Sequence, residues 1–414
     1  MRGSTTVMAT VGLVGLLAAC GPAGSNNGSN NGTNNGSNNG SGDCTKIESM
    51  HISEDTEWSA ACYEVDGKVD VDNGVLTIAA GTTLTFTQDS LLRINADGKL
   101  TAVGTKEEPI TFEGAEDTAG FWAGIEFWGT NSVDNKLDYV TITGAGSRGG
   151  DYIGHAAGII LNLTSSGSDK TRVSIDHTHI EKSGIGLTMD HGSILDSFEE
   201  NELTGNDMPV VSLALDPLQY LSASSTYTGN DTDVVLVDKG ARGTKGEQTW
   251  HKLDVPYRLK SNLDVDNGLL TIEAGTTIEF NQSTDLTVNK DGQLTAKGTP
   301  DEKITFKGVE STAGYWNFVQ FWGTTSTNNV LENVVVDGAG GAGCDYHGGQ
   351  PSALCVNDTS NTPASATFNS VEVTNNGGDY TILITDNSSV SACDITTDGG
   401  TVTVYPDTNT CPTM

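Results

Sequence analysis

The chain has 414 residues, with 54 acidic against 21 basic side chains and a formal charge of −33. Charged residues make up only 18% of it, below the roughly 25% of an average soluble domain, so the imbalance comes from scarce Lys and Arg. That argues against nucleic-acid binding and against docking on anionic lipid, both of which need a basic surface, while 36% hydrophobic content is too apolar for a wholly disordered acidic chain.

In chain order, the first feature is an apolar run from Val7 to Leu17 preceded by a single charge, Arg2, and closed by Leu17-Ala18-Ala19-Cys20. A run this short with small residues at its end predicts an export signal, not a membrane-spanning helix. The Leu-Ala-Ala-Cys ending resembles the bacterial lipoprotein signal. That resemblance implies cleavage after residue 19, lipidation of Cys20 and, with Gly21 in place of Asp, an outer-membrane or cell-surface anchor. Residues 25–42 then cycle Ser-Asn-Asn-Gly with no apolar side chain. Such a segment has nothing to offset its ordering entropy, so 20–43 is expected to be a flexible tether, in which the eighteen residues 25–42 alone reach roughly 20–25 Å.

The body is a duplication. Asp70-Val71-Asp72-Asn73-Gly74 recurs as Asp264-Val265-Asp266-Asn267-Gly268, and at this offset of 194 residues 44 of the 77 positions from 70 to 146 are identical without a gap. Two homologous units are therefore predicted, 44–240 and 241–414. Inside each, apolar residues alternate in short bursts: Leu76-Thr77-Ile78, Leu84-Thr85-Phe86, Leu92-Arg93-Ile94, Leu100-Thr101-Ala102, Ile110-Thr111-Phe112, Ile125-Glu126-Phe127 and Val140-Thr141-Ile142. Period two places the outer pair of each triplet inward and the middle residue outward. Three-residue strands about eight residues apart suit a three-faced solenoid better than a sandwich, whose strands run to five or six residues.

The runs DVDNGVLTIAAGTTLTF and DVDNGLLTIEAGTTIEF, followed by GKLTAVGT or GQLTAKGT, FWAGIEFWG or YWNFVQFWG, and LDYVTITGAG or LENVVVDGAG, resemble the bacterial right-handed parallel β-helix repeat proteins of the pectin-lyase-like fold, often surface lipoproteins. Trp250…Pro256-Tyr257 also fits that pattern. The resemblance implies an all-β right-handed parallel β-helix over nearly all of 44–405, with Trp122 and Trp316 packing loops onto the coil. For activity it implies little, because one fold hosts many functions.

Setting Cys20 aside leaves Cys44, Cys62, Cys344, Cys355, Cys393 and Cys411. An even number in an exported chain suggests disulfides, with fifteen connectivities open. Local pairing 44–62, 344–355 and 393–411 is the economical choice, and its first and last pairs would close the two open ends of a solenoid.

Four groups are candidate sites. Asp70 and Asp72, with Asp264 and Asp266, offer oxygens at alternate positions as calcium loops do. The distal bidentate Glu of such a loop is missing, and Asp-Asn-Gly is also an ordinary turn. Asp151, Tyr152 and His155 lie in a Gly-rich segment whose counterpart carries Asp345, Tyr346 and His347 beside Cys344; they are either an acid–base or binding loop or a coil insertion tied by its own hydrogen bonds. His177 and His179 at i and i+2 would share one side of a strand, as a metal site needs, yet their counterparts are Ser370 and Glu372. Trp128 and Trp322 could stack on sugar rings or pack on the coil.

Function is the least encoded property. The resemblance includes polysaccharide lyases and hydrolases, which implies acidic calcium ligands with a basic catalyst, or clustered Asp. Here Arg93, Arg148 and Arg242 lack a basic match in the other unit, and an acidic body repels polyuronates unless calcium bridges them. The expectation is a cell-surface lipoprotein presenting a β-helical rod to a glycan or a surface protein, non-catalytic, with calcium as the one conceivable cofactor. The alternative is a polysaccharide lyase or hydrolase acting near Asp151 and Asp345.

Overall fold

The computed structural model describes residues 44–148, 154–163, 170–238, 243–344, 349–359, 362–385, 387–398 and 402–405. Cys20, Asp151, Tyr152, Asp345, Tyr346, His347 and Cys411 lie outside the described residues, as do the export signal and the tether. The described residues form one compact unit. It is a right-handed parallel β-helix, and its strand ladders are parallel. Among the described residues no helix is long and apolar enough to cross a membrane.

The apolar triplets explain the coil. Leu84 and Phe86 are buried while Thr83 and Thr85, which alternate with them, are only partly covered, and Val140 and Ile142 repeat that pattern. Alternation sends one apolar row inward from every strand, and stacking coils about 4.8 Å apart joins these rows. One hydrophobic core thereby runs from Ile47 to Ile395. Some strands keep the three-residue length, as His179–Glu181 and Val235–Val237 do, while others are longer because neighbouring triplets join across bent corners. Cys62–Ile78 and Leu91–Val103 are single bent strands, with a register shift between Val71 and Asn73 marking the corner.

Three sheets run along the first unit. Sheet A contains 68–71, 91–94, Gly124–Trp128, Ala157–Asn162, Ile185–Met189, Met208–Ser212 and Val235–Val237. Sheet B contains 75–78, 99–103, 136–138, Thr171–Asp176 and Ser193–Ser197. Sheet C contains 62–65, Thr83–Phe86, Ile110–Gly114, Val140–Thr143, His179–Glu181 and Glu202–Leu203. Left-handed residues form the tight corner between B and C: Tyr139, His177 and Glu200 have φ of 51°, 46° and 54°.

The duplication in sequence is not a simple translation in space. Sheet A carries on through Ser212↔Val237↔Leu259↔Phe280, yet Phe280 is the counterpart of Phe86, which lies in sheet C. The second unit's equivalent of sheet A starts afresh at Thr244↔Val265↔Val288. Sheet B alone keeps its identity. The 3-10 helix Asp216–Tyr220 packs between Ser193–Ser197 and Gln248–Trp250, after which 269–272 and 293–297 continue the sheet. The two homologous halves are thus one continuous solenoid with a shift of face at the junction.

Aromatic stacking fixes the loops that leave sheet C. Trp122 lies 4.1 Å from Phe86 and Trp316 lies 4.3 Å from Phe280. Their indole N–H groups donate to Thr143 O and Asp337 O, so both are structural. Disulfides join Cys44 to Cys62 in the first coil and Cys344 to Cys355, and Cys393 is also disulfide-bonded.

Candidate binding faces

The outer side of sheet A in the first unit is charged but closed. Arg93 and Glu126 occupy successive rungs, and Arg93 Nε donates to Glu126 Oε2 at 2.7 Å with the two residues only 4% and 0% exposed. Asn162 Nδ2 donates to the other carboxylate oxygen at 3.1 Å. The guanidinium lies 4.5 Å from the centre of the Trp128 ring, whose indole N–H donates to Leu163 O at 2.7 Å. Desolvated and mutually satisfied, these charges have no room to transfer a proton to a substrate. Trp128 is therefore a packing residue.

At the same places the second unit has Thr287, Gln320, Asn357 and Trp322. Gln320 Nε2 and Asn357 Nδ2 both donate to the carbonyl of Cys344, at 2.6 and 2.8 Å. The positions that close around Arg93 in one unit thus hold the carbonyl of disulfide-bonded Cys344 in the other. With Thr287 in place of Arg93, the Trp322 ring carries no guanidinium and is 37% exposed, one of the few large hydrophobic residues in that state.

His155 is tied into an ion-pair cluster. Its Nε2 lies 2.9 Å from Asp238 Oδ2, and Lys260 bonds the other oxygen. His177 sits in the B–C corner at positive φ, stacked on Tyr139 at 4.2 Å, and so does not share a strand side with His179. His177 faces Asp138 and Glu200, and His179 faces Glu181 and Glu202. Among the described residues no group of three or more His, Cys, Asp or Glu is arranged to hold a metal ion.

The duplicated aspartates have diverged. Asp70 receives Lys68 Nζ at 2.9 Å and Asn95 Nδ2 at 3.3 Å. Asp72 receives Asn95 Nδ2 at 2.6 Å and pairs with His51 Nδ1 at 2.7 Å. Burial raises the Asp72 carboxyl, but hydrogen bonds from His51 and Asn95 outweigh it and hold the group below its usual range. In the second unit Lys68 and Arg93 become Asn262 and Thr287. Asp264, half-buried and beside the carboxylates of Asp285 and Asp266, is pushed up to about 6 by desolvation first and by those charges second. Asp266 itself takes Asn289 Nδ2 at 2.7 Å.

Two polar clefts occupy homologous corners where the chain enters sheet B. One, of about 840 Å³, is lined by Asn73, Asp97, Gly98, Lys99, Asn131 and Ser132 among others. The other, of about 530 Å³, is lined by Asn267, Asp291, Gly292, Gln293, Thr325 and Ser326 among others. Only turn signals mark these places in the sequence, and each cleft arises where the turns of adjacent coils stack.

Comparison with known proteins agrees with this architecture. Residues 50–164 match the family model of the pectate-lyase-like beta helix domain. The fold is pectin-lyase-like. That match covers the coils carrying Arg93, Glu126 and Trp128. Protein bark beetle of Drosophila melanogaster is 33% identical over 113 residues, 27% of this chain and 3% of that protein, so the chain spans only a small part of its relative's length. No solved structure matches the chain.

Proposed function

We propose that this pectin-lyase-like protein is an exported, lipid-anchored surface protein that binds a glycan without cleaving it. The observation that carries the reading is the contrast between the two tryptophans. Around Trp128 the charges of Arg93 and Glu126 are spent on each other, with Asn162 bonded to the carboxylate, whereas Trp322 is exposed and precedes by two residues the Thr324-Thr325-Ser326 wall of a polar cleft. An exposed aromatic face beside hydroxyl, amide and carboxylate groups suits a sugar ring, whose C–H face stacks while its hydroxyls hydrogen-bond. The acidic balance of the chain favours a neutral glycan over a polyanion.

Anchoring rests on the Leu17-Ala18-Ala19-Cys20 signature and the polar tether, and the disulfides accord with an oxidising compartment. A glycan array probed with the mature chain, with and without calcium, tests the reading. Retention on neutral glycans that is indifferent to chelator is expected. Retention on none, or only on polyuronates with calcium, would refute it.

A further inference from the structure

The two clefts are more alike than their openness to solvent requires. Each has a buried Thr–Asn pair bonded to the backbone of its lining glycine. Thr130 Oγ1 donates to Gly98 O at 2.7 Å, and Asn135 Nδ2 donates to Thr130 Oγ1 at 3.0 Å. In the second unit Thr324 Oγ1 donates to Gly292 O at 2.8 Å, and Asn329 Nδ2 donates to Thr324 Oγ1 at 3.1 Å. Gly98 and Gly292 sit so close to the preceding coil that an added Cβ would lie 2.0 Å from Val71 O or 1.9 Å from Val265 O. Bonded side chains and tight backbone give a preformed surface, which lowers the ordering entropy of binding.

Asp97 and Asp291 stand exposed on the two rims as hydrogen-bond acceptors. The remaining rim differs in charge but not in polarity. Lys99 Nζ lies 3.7 Å from Asp134 Oδ2 in the first cleft, and in the second Gln293 Oε1 accepts from Ser326 Oγ and Asn328 Nδ2, both at 2.8 Å. Lys99 and Lys170 in the first cleft are matched by Asp97 and Asp134, and Lys290 in the second by Asp291, so neither cleft carries a clear excess of one sign, which suits a neutral hydroxyl-rich chain.

Position makes the duplication useful. Despite the shift of face at the junction, both clefts open on the entry edge of sheet B, which persists through both units. From 99–103 the sheet passes through 136–138, 171–176, 193–197, the 3-10 helix, 248–250 and 269–272 to 293–297. At about 4.8 Å per coil the clefts lie roughly 34 Å apart along one edge.

Resting on the glycan-binding reading, we propose that the two clefts are paired subsites for one extended neutral polysaccharide, with the cleft beside Trp322 as the primary subsite and the cleft at Asp97 as the secondary one. A chain engaging one cleft reaches the other at high effective concentration, so polymer affinity exceeds that of a short fragment.

The test measures binding of the mature chain to dextran, soluble β-glucan and mannan, each as polymer and as trisaccharide. Single variants Asp97→Ala and Asp291→Ala accompany the wild type, with melting curves confirming that these exposed substitutions leave the fold intact. For the polymer that binds, affinity about a hundredfold or more above its trisaccharide is expected. Asp97→Ala should remove most of that gain and spare the trisaccharide, and Asp291→Ala should weaken both. Polymer binding that is untouched by both substitutions, or no tighter than the trisaccharide, overturns the paired subsites alone. Absence of binding to any of the polymers overturns the glycan reading as well.

Discussion

Arg93 Nε and Glu126 Oε2 meet at 2.7 Å across adjacent coils, on the outer side of a sheet yet almost wholly out of contact with water. Removing one member of a buried pair leaves an uncompensated charge, which typically costs about 3–5 kcal/mol, whereas replacing both is often near neutral. The second unit supplies the replacement in Thr287 and Gln320. Arg93→Thr and Glu126→Gln should each lower the melting temperature strongly, and the double variant should recover most of the loss. Additive losses in this double-mutant cycle would show that the pair is not coupled.

The two tryptophans should separate stability from binding. Trp128→Ala removes an indole hydrogen bond and a guanidinium contact, together worth about 1–3 kcal/mol, and should show as a lower melting temperature. Trp322→Ala should change melting little and abolish retention on glycan. Equal effects on melting would contradict the division.

Asp264 gives the chain a pH dependence of unusual sign. Its folded carboxyl titrates at about 6, and an unfolded Asp near 3.9. Between these values the folded state holds the extra proton, so stability falls as pH rises from about 4 to about 6 and stays lower above. The group is nearly half open to solvent, and screening reduces the effect to about 1 kcal/mol. Asp264→Asn should be more stable than wild type at pH 7 and should flatten this part of the profile. Asp70→Asn, which loses the Lys68 contact, should not stabilise the chain.

The staple between Cys344 and Cys355 closes a separation of 11 residues over Phe318 and Leu383. Its contribution by loop entropy is about 3 kcal/mol. Replacing both cysteines by Ser should lower the melting temperature and increase binding of a hydrophobic dye over that face. An unchanged melting temperature would mean that Gln320 and Asn357 hold the loop without it.

The coil was legible because each apolar triplet carries its own inward row: Leu84 with Phe86 and Val140 with Ile142 needed no knowledge of distant contacts. Corners were harder. His177 follows a strand in the sequence pattern, but stacking of successive corners imposes positive φ there, which breaks the i, i+2 relation with His179. The burial of Glu126 was hidden too, since the middle residue of Ile125-Glu126-Phe127 points outward and alternation alone says it should be wet. A usable signal did exist: Arg93 and Glu126 change together, to Thr287 and Gln320, between repeats that are otherwise closely alike. The clefts left no such trace, because they form between turns 24 to 35 residues apart that only the coil brings side by side.

The most direct test follows one sample of the bound polymer over prolonged incubation with the mature chain, with and without calcium, and measures retained protein and new reducing ends together. The account predicts stable retention, no new ends and an unchanged polymer length distribution in both conditions. Steady accumulation of shorter chains would contradict it and make the protein an enzyme.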